Sequence, residues 1–126
     1  MEIKKLDHIN VRTTELEKMI SWYSDVLGMR EGERPNFPFP GAWMYVGNVA
    51  AVHLVGVNGD SGVGSEADLK LEHFAFSAIG GSKFEATLRI KSVDFKRVDI
   101  PEMGLYQINL WDPDGNHIHL DFPGED

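Results

Sequence analysis

The chain of 126 residues contains no cysteine. That excludes disulfides and thiolate metal sites, so any metal must be held by nitrogen and oxygen. No apolar run approaches the ~20 residues that a membrane helix needs. Basic side chains are few, 12 against 20 acidic, and the net charge is −8. Without a basic stripe, a nucleic-acid partner is not expected. The first residues show no signal-peptide apolar region after their lysines, which leaves the cytoplasm as the expected location. What remains is ordinary: 42% apolar and 25% charged residues, the balance of a soluble globular protein. The length suits one domain, residues 1–126, around a single core.

Within that ordinary composition the chain repeats itself. Leu6-Asp7-His8-Ile9-Asn10-Val11 is echoed by Leu71-Glu72-His73-Phe74-Ala75-Phe76. Residues 5–12 alternate as a strand, with Leu6, His8, Asn10 and Arg12 on one side. Thr14 and Glu17 have the spacing of a capping box, and Leu16, Met19, Ile20, Tyr23 and Leu27 follow at helical intervals up to Gly28. Residues 34–41 hold three prolines in eight positions and read as a loop with two aromatics. Strands are expected at 42–46 and 49–55 around a Gly47-Asn48 turn. Gly, Ser and Asp dominate the region that follows, and residues 57–69 read as a linker. The second copy begins near residue 70 with a strand over 71–77. A helix from about Ser82, with Glu85 completing a second capping box, and strands near 94–99, 105–111 and 116–122 complete it. Asp112-Pro113-Asp114-Gly115-Asn116 is a turn by composition. Strand, helix, then two or three strands, given twice, predicts an α+β domain.

Each copy also carries two histidines at nearly one interval. His8 and His53 are 45 positions apart, His73 and His119 46 apart. Alternation puts all four opposite the bulky apolar residues of their strands. A lone strand histidine is usually a satisfied polar residue. Four with matched intervals and a shared face point to a metal site, because imidazole is the commonest protein ligand for late divalent ions. His117 shares the face but has no counterpart, and reads as a turn-adjacent surface residue. Phe37, Phe39 and Trp43 either line a cavity or cover the sheet edge. Asn10, Arg12, Gln107 and Asn109 fall on the histidine face and could hold a polar substrate. Arg12 would suit a carboxylate or phosphate.

These residues resemble the vicinal oxygen chelate superfamily of glyoxalase I, methylmalonyl-CoA epimerase, fosfomycin-resistance transferases, bleomycin-binding proteins and extradiol dioxygenases. The resemblance is carried by Leu6-Asp7-His8-Ile9, Trp22-Tyr23-Ser24-Asp25-Val26-Leu27-Gly28-Met29, Gly41-Ala42-Trp43-Met44-Tyr45, Val52-His53-Leu54, the 71–76 echo and the 112–116 turn. It implies two βαβββ modules, about 1–56 and 70–126, forming an open incomplete barrel. It further implies a divalent metal ion (zinc, nickel, iron, manganese or cobalt) on His8, His53, His73 and His119, a small-molecule substrate and a homodimer, with the site in some members built from modules of different chains.

One departure is clear. The last-strand position, glutamate in most members, is His119 here. In glyoxalase-like enzymes that glutamate binds metal and moves the substrate proton. His119 is therefore the candidate base. Asp121, two residues on, could orient His119, act as base itself, or be a solvated strand end. The leading expectation is a metal-dependent lyase or isomerase of the glyoxalase-like type. An extradiol-type dioxygenase, a non-enzymatic drug-type binding protein and a closed structural metal site stand as alternatives.

Overall fold

The computed structural model describes residues 1–59 and 71–124. The chain divides into two units, Met1–Gly62 and Val63–Asp126. Most of the expected linker, residues 60–69, lies outside the described residues.

The first unit runs β1 (Ile9–Thr13), α1 (Leu16–Asp25), β2 (Arg30–Gly32), β3 (Gly41–Val46) and β4 (Val49–Gly56). Its sheet has the order β1-β4-β3-β2, with β1 parallel to β4 and the other pairs antiparallel. The second unit repeats this with β5 (His73–Ser77), α2 (Gly81–Ile90), β6 (Lys96–Ile100), a short 3-10 turn at Pro101–Met103, β7 (Leu105–Trp111) and β8 (His117–Pro123), in the order β5-β8-β7-β6. Each unit is thus a βαβββ module, and the α+β expectation holds. The residue pattern did not place the strand β2, which the implied βαβββ module requires. Its three residues are too few to show a period, and only pairing with β3 defines it.

Helix α1 presents Met19 and Tyr23, both fully buried, to β2, β3 and β4. Its spacing of apolar residues gives one stripe, which the sheet covers. The expected capping box at Thr14 is not formed. The N-cap is Glu15, and it is the Thr13 hydroxyl that accepts the Glu15 N–H, at 2.9 Å. Thr13 ends β1 fully buried, so its oxygen needs a donor more than solvated Thr14 does. At the other end Gly28, at φ +69°, lets its N–H reach the Ser24 carbonyl, an αL ending, and the Met29 N–H reaches the Tyr23 carbonyl.

The second expected box, Ser82 to Glu85, is also absent. The N-cap is Gly80, without a side-chain cap bond, and Glu85 is drawn off by Arg97 at 2.7 Å and Arg89 at 3.3 Å. The helix begins at Gly81 because the sheet leaves no room for anything larger. A Cβ there would lie 1.8 Å from the Tyr106 hydroxyl and 2.9 Å from Phe122. The core of this unit is Leu88, Tyr106, Ile108, Leu110, Ile118 and Phe122.

Both first strands begin later than alternation suggests, at Ile9 and His73 rather than near 5 and 71. Pairing starts only at Ile9 opposite Val52 and His73 opposite His117, so Leu6 and Leu71 stay exposed. The turn between β7 and β8 forms as its composition predicts. Asp112 Oδ1 accepts the N–H groups of Asp114 and Asn116 at 3.0 and 2.9 Å, and Gly115 takes φ +82°. That closure sets Asn109 opposite His119 and Trp111 opposite His117.

Candidate functional site

In the first unit two imidazoles and an indole form one stack. The His53 ring lies 3.9 Å from that of His8, 10° from parallel, and 4.0 Å from that of Trp43, 11° from parallel. Pairing explains the contact with Trp43, which sits directly opposite His53 across β3 and β4. His8 precedes β1, beside the neighbour that pairs Asn10 with His53. Its Nδ1 meets the Asp7 carboxylate at 2.7 Å. In His53 the other nitrogen is engaged, with Nε2 3.1 Å from the Ala50 carbonyl. These groups open on a cavity of about 560 Å³ that Asn10, Phe37, Phe39, Lys5 and Arg34 also line. Arg12 is an exposed residue nearer the end of β1 and is not part of that lining.

Burial lowers the His53 pKa, and the neighbouring His8 lowers it further, against weaker opposing effects of the Ala50 carbonyl and Asp7. Between its ordinary value, about 6.5, and the depressed folded value, the unfolded chain holds the extra proton. Stability linked to this ring is therefore complete above about 6.5 and is lost as pH falls below it. In metal-free protein the urea midpoint is expected to drop from pH 7.5 to 5.5, and His53→Phe is expected to drop less. Equal drops would contradict the assignment of this shift to His53.

The second unit holds a denser cluster. The His73 ring is 4.5 Å from His119 and 5.3 Å from His117, and Trp111 stacks on His117 at 5.0 Å. His119 is buried, and its Nδ1 lies 2.7 Å from Asp121 Oδ1. Glu72 reaches two rings at once, with one oxygen on His73 Nδ1 and the other 3.0 Å from His117 Nδ1. Both bonds lower its carboxyl pKa, the His73 bond most. His117 Nε2 lies 2.8 Å from Asn109 Oδ1, and Asn109 Nδ2 donates to the Lys96 carbonyl at 3.2 Å. The Asn109 amide is thus engaged by the protein at both ends. Gln107 stands opposite Asp121 on the neighbouring strand.

The reading of His117 as a surface residue is corrected: its side chain is only 12% exposed and lies inside the cluster. Ligand atoms of Glu72, His73 and His117 all fall within 4.8 Å of one another. Among the described residues unit one has nothing comparable. Stepping back one pair from Ile9–Val52 and from Phe74–Ile118 puts Ala51 where unit two has His117. The carboxylates Asp7 and Glu72 were missed as well. Their signal was an acid directly before each histidine, in both copies.

The donor set suits a cation. In His8, His73 and His119 the Nδ1–H donates to a carboxylate, which leaves Nε2 with its lone pair. In His53 the roles are reversed and Nδ1 is the free atom. These tautomers follow from the hydrogen-bond partners, and carboxylate-backed imidazoles are the usual metal-binding arrangement.

A family model described as the Glyoxalase/Bleomycin resistance protein/Dioxygenase superfamily matches residues 5–120. No curated protein matches the chain. Among solved structures, a glyoxalase family protein from Bacillus anthracis is similar at 20% identity, covering 98% of each chain, with a TM-score of 0.79. An antibiotic binding protein from a Streptomyces species is 18% identical over 98% of each chain, with a TM-score of 0.73. A lactoylglutathione lyase from Agrobacterium tumefaciens is 16% identical over 97% of this chain and 96% of its own, with a TM-score of 0.70. At these identities the likeness speaks to fold.

Proposed function

The chain belongs to the Glyoxalase/Bleomycin resistance protein/Dioxygenase superfamily, and we propose that it is a metal-dependent enzyme of glyoxalase-like, lyase or isomerase type. Its substrate in this reading is a small molecule with two neighbouring oxygens, and its metal ligands are His8, His53, His73 and His119. The observation that carries the proposal is the state of the rings. Each of the four has one nitrogen satisfied by the protein and the other left with a lone pair.

A divalent cation on such ligands would polarise a carbonyl and stabilise negative charge on the adjacent oxygen. The chain's own groups supply the rest. His119 replaces the glutamate that the family resemblance leads one to expect, and Asp121 holds its Nδ1–H. His119 would act as base only with its Nε2 off the cation, which His8, His53 and His73 would keep; Nε2 is then the atom at which a substrate proton is taken up, and Asp121 stabilises the imidazolium that results. Buried His119 keeps one orientation, which suits proton transfer at a fixed atom. Asn10 and Trp43, which line the cavity of the first unit, and Gln107, opposite Asp121, are proposed substrate contacts. Arg12 and Asn109 are proposed in supporting roles only. A homodimer in the cytoplasm completes the proposal.

A second reading, a small-molecule binding protein without catalysis, is favoured by the aromatic lining of the first unit's cavity. Elemental analysis separates the two. The purified protein is expected to carry a divalent late transition metal, and His8→Ala is expected to lose most of it. Full metal content in His8→Ala would overturn the ligand assignment. A His119→Ala protein that keeps metal but loses activity would make His119 the base and not a ligand.

A further inference from the structure

The loop from Arg34 to Pro40 puts a fixed cation beside aromatic faces. The Arg34 guanidinium carbon lies 5.1 Å and 5.0 Å from the ring centres of Phe37 and Phe39, and its Nη2 donates to the Phe39 carbonyl at 2.9 Å. A Cβ at Gly41 would come within 2.9 Å of that nitrogen and 2.5 Å of the Leu54 carbonyl. Glycine at position 41 is what lets the guanidinium lie there. The two phenyl rings stack at 5.1 Å and remain 40% and 42% exposed. Phe37 meets Trp43 at 6.4 Å, and Trp43 stacks on His53. An unbroken aromatic path therefore leads from Arg34 to the histidine pair, along one cavity of the first unit.

The charges of that cavity run against those of the chain. In a protein of net charge −8, Lys5 and Arg34 both line it. The acidic residue there, Asp7, is already held by His8. Among the described residues no carboxylate pairs with Arg34, whose fork of five N–H groups gives one to the Phe39 carbonyl. A planar fork that is oriented before binding matches a carboxylate, and aromatic faces match a flat ring.

We infer that this cavity takes a flat aromatic carboxylate, with its ring against Phe37 and Trp43 and its carboxylate at Arg34 and Lys5. The inference deepens the proposed function, since it rests on the His8–His53 wall being where substrate reacts. It is tested with 2-naphthoate, titrated into whole protein with and without its metal and followed by tryptophan fluorescence. Two controls are its fully saturated analogue and 2-naphthalenemethanol, which removes the charge. Each control is expected to bind at least about tenfold more weakly, the scale of one charge-assisted bond or one stacked ring. Arg34→Gln is expected to erase the preference for acid over alcohol. Arg34→Lys, which keeps the charge without the fork, is expected to fall between. Equal binding of acid and alcohol, or an unchanged preference in Arg34→Gln, would overturn the inference. So would metal-loaded protein that ignores naphthoate, and the enzymatic reading would then stand alone. Arg34-dependent binding to a protein that holds no metal would support this inference while ending the enzymatic one.

Discussion

His73→Ala is expected to weaken divalent-cation binding by more than about 100-fold, and Glu72→Ala by about 10- to 100-fold. The first variant deletes a proposed ligand. The second removes only the carboxylate behind it, yet that carboxylate bridges His73 and His117. Without it His73 loses the partner that fixes its tautomer and turns Nε2 outward. In the first unit Asp7 backs His8 alone, and Ala51 stands where a second imidazole would be. Asp7→Ala is therefore expected to weaken binding less than Glu72→Ala does. Competition titration against a chromophoric chelator gives all three affinities on one scale. If Glu72→Ala bound as tightly as wild type, the bridging carboxylate would have no part in holding the ligand.

Gly81→Ala is expected to destabilise the second unit by about 1–3 kcal/mol, the usual range for forcing extra volume into a packed core. The Cβ would collide with the hydroxyl of Tyr106 and the ring of Phe122, both almost completely buried. Neither ring can swing into solvent. Tyr106 is also covered by Arg97, whose guanidinium carbon sits 3.9 Å from its ring centre. Trimming the obstacle should relieve the clash, so Gly81→Ala combined with Tyr106→Phe is expected to be less than additive. Urea denaturation of the two single variants and the double variant decides the matter. Strict additivity would mean that the cost of Gly81→Ala lies elsewhere.

Much of this architecture is legible in the sequence. The doubled Leu-acid-His opening, the alternation around each histidine and the 112–116 turn sufficed for an α+β chain of strand, helix and two or three strands given twice, and the family resemblance implied the βαβββ module. Each of those signals is local and periodic, and burial enforces it. What escaped was set by contacts across strands. Alternation assigns Asp7 and Glu72 to the face opposite their histidines, but both residues precede the paired strand, so the rule does not bind them. Their carboxylates fold back on the rings. His117 looked expendable because it has no twin in the first copy, yet its pairing with His73 places it in the cluster. Arg34 lies in a proline-rich loop without period, and its stacking on Phe37 and Phe39 depends on loop conformation alone. The helix starts were misplaced for a similar reason. Buried Thr13 and crowded Gly81 outrank the capping pattern of the residues beside them.

Imidazoles from both copies of the repeat are proposed to bind a divalent cation. Titration of metal-free protein with cobalt(II), read by its visible absorption, tests this binding most directly. One ion per chain with a nitrogen-ligand spectrum is expected, and loss of that spectrum in His8→Ala and His73→Ala alike. A spectrum and stoichiometry unchanged in either variant would contradict it.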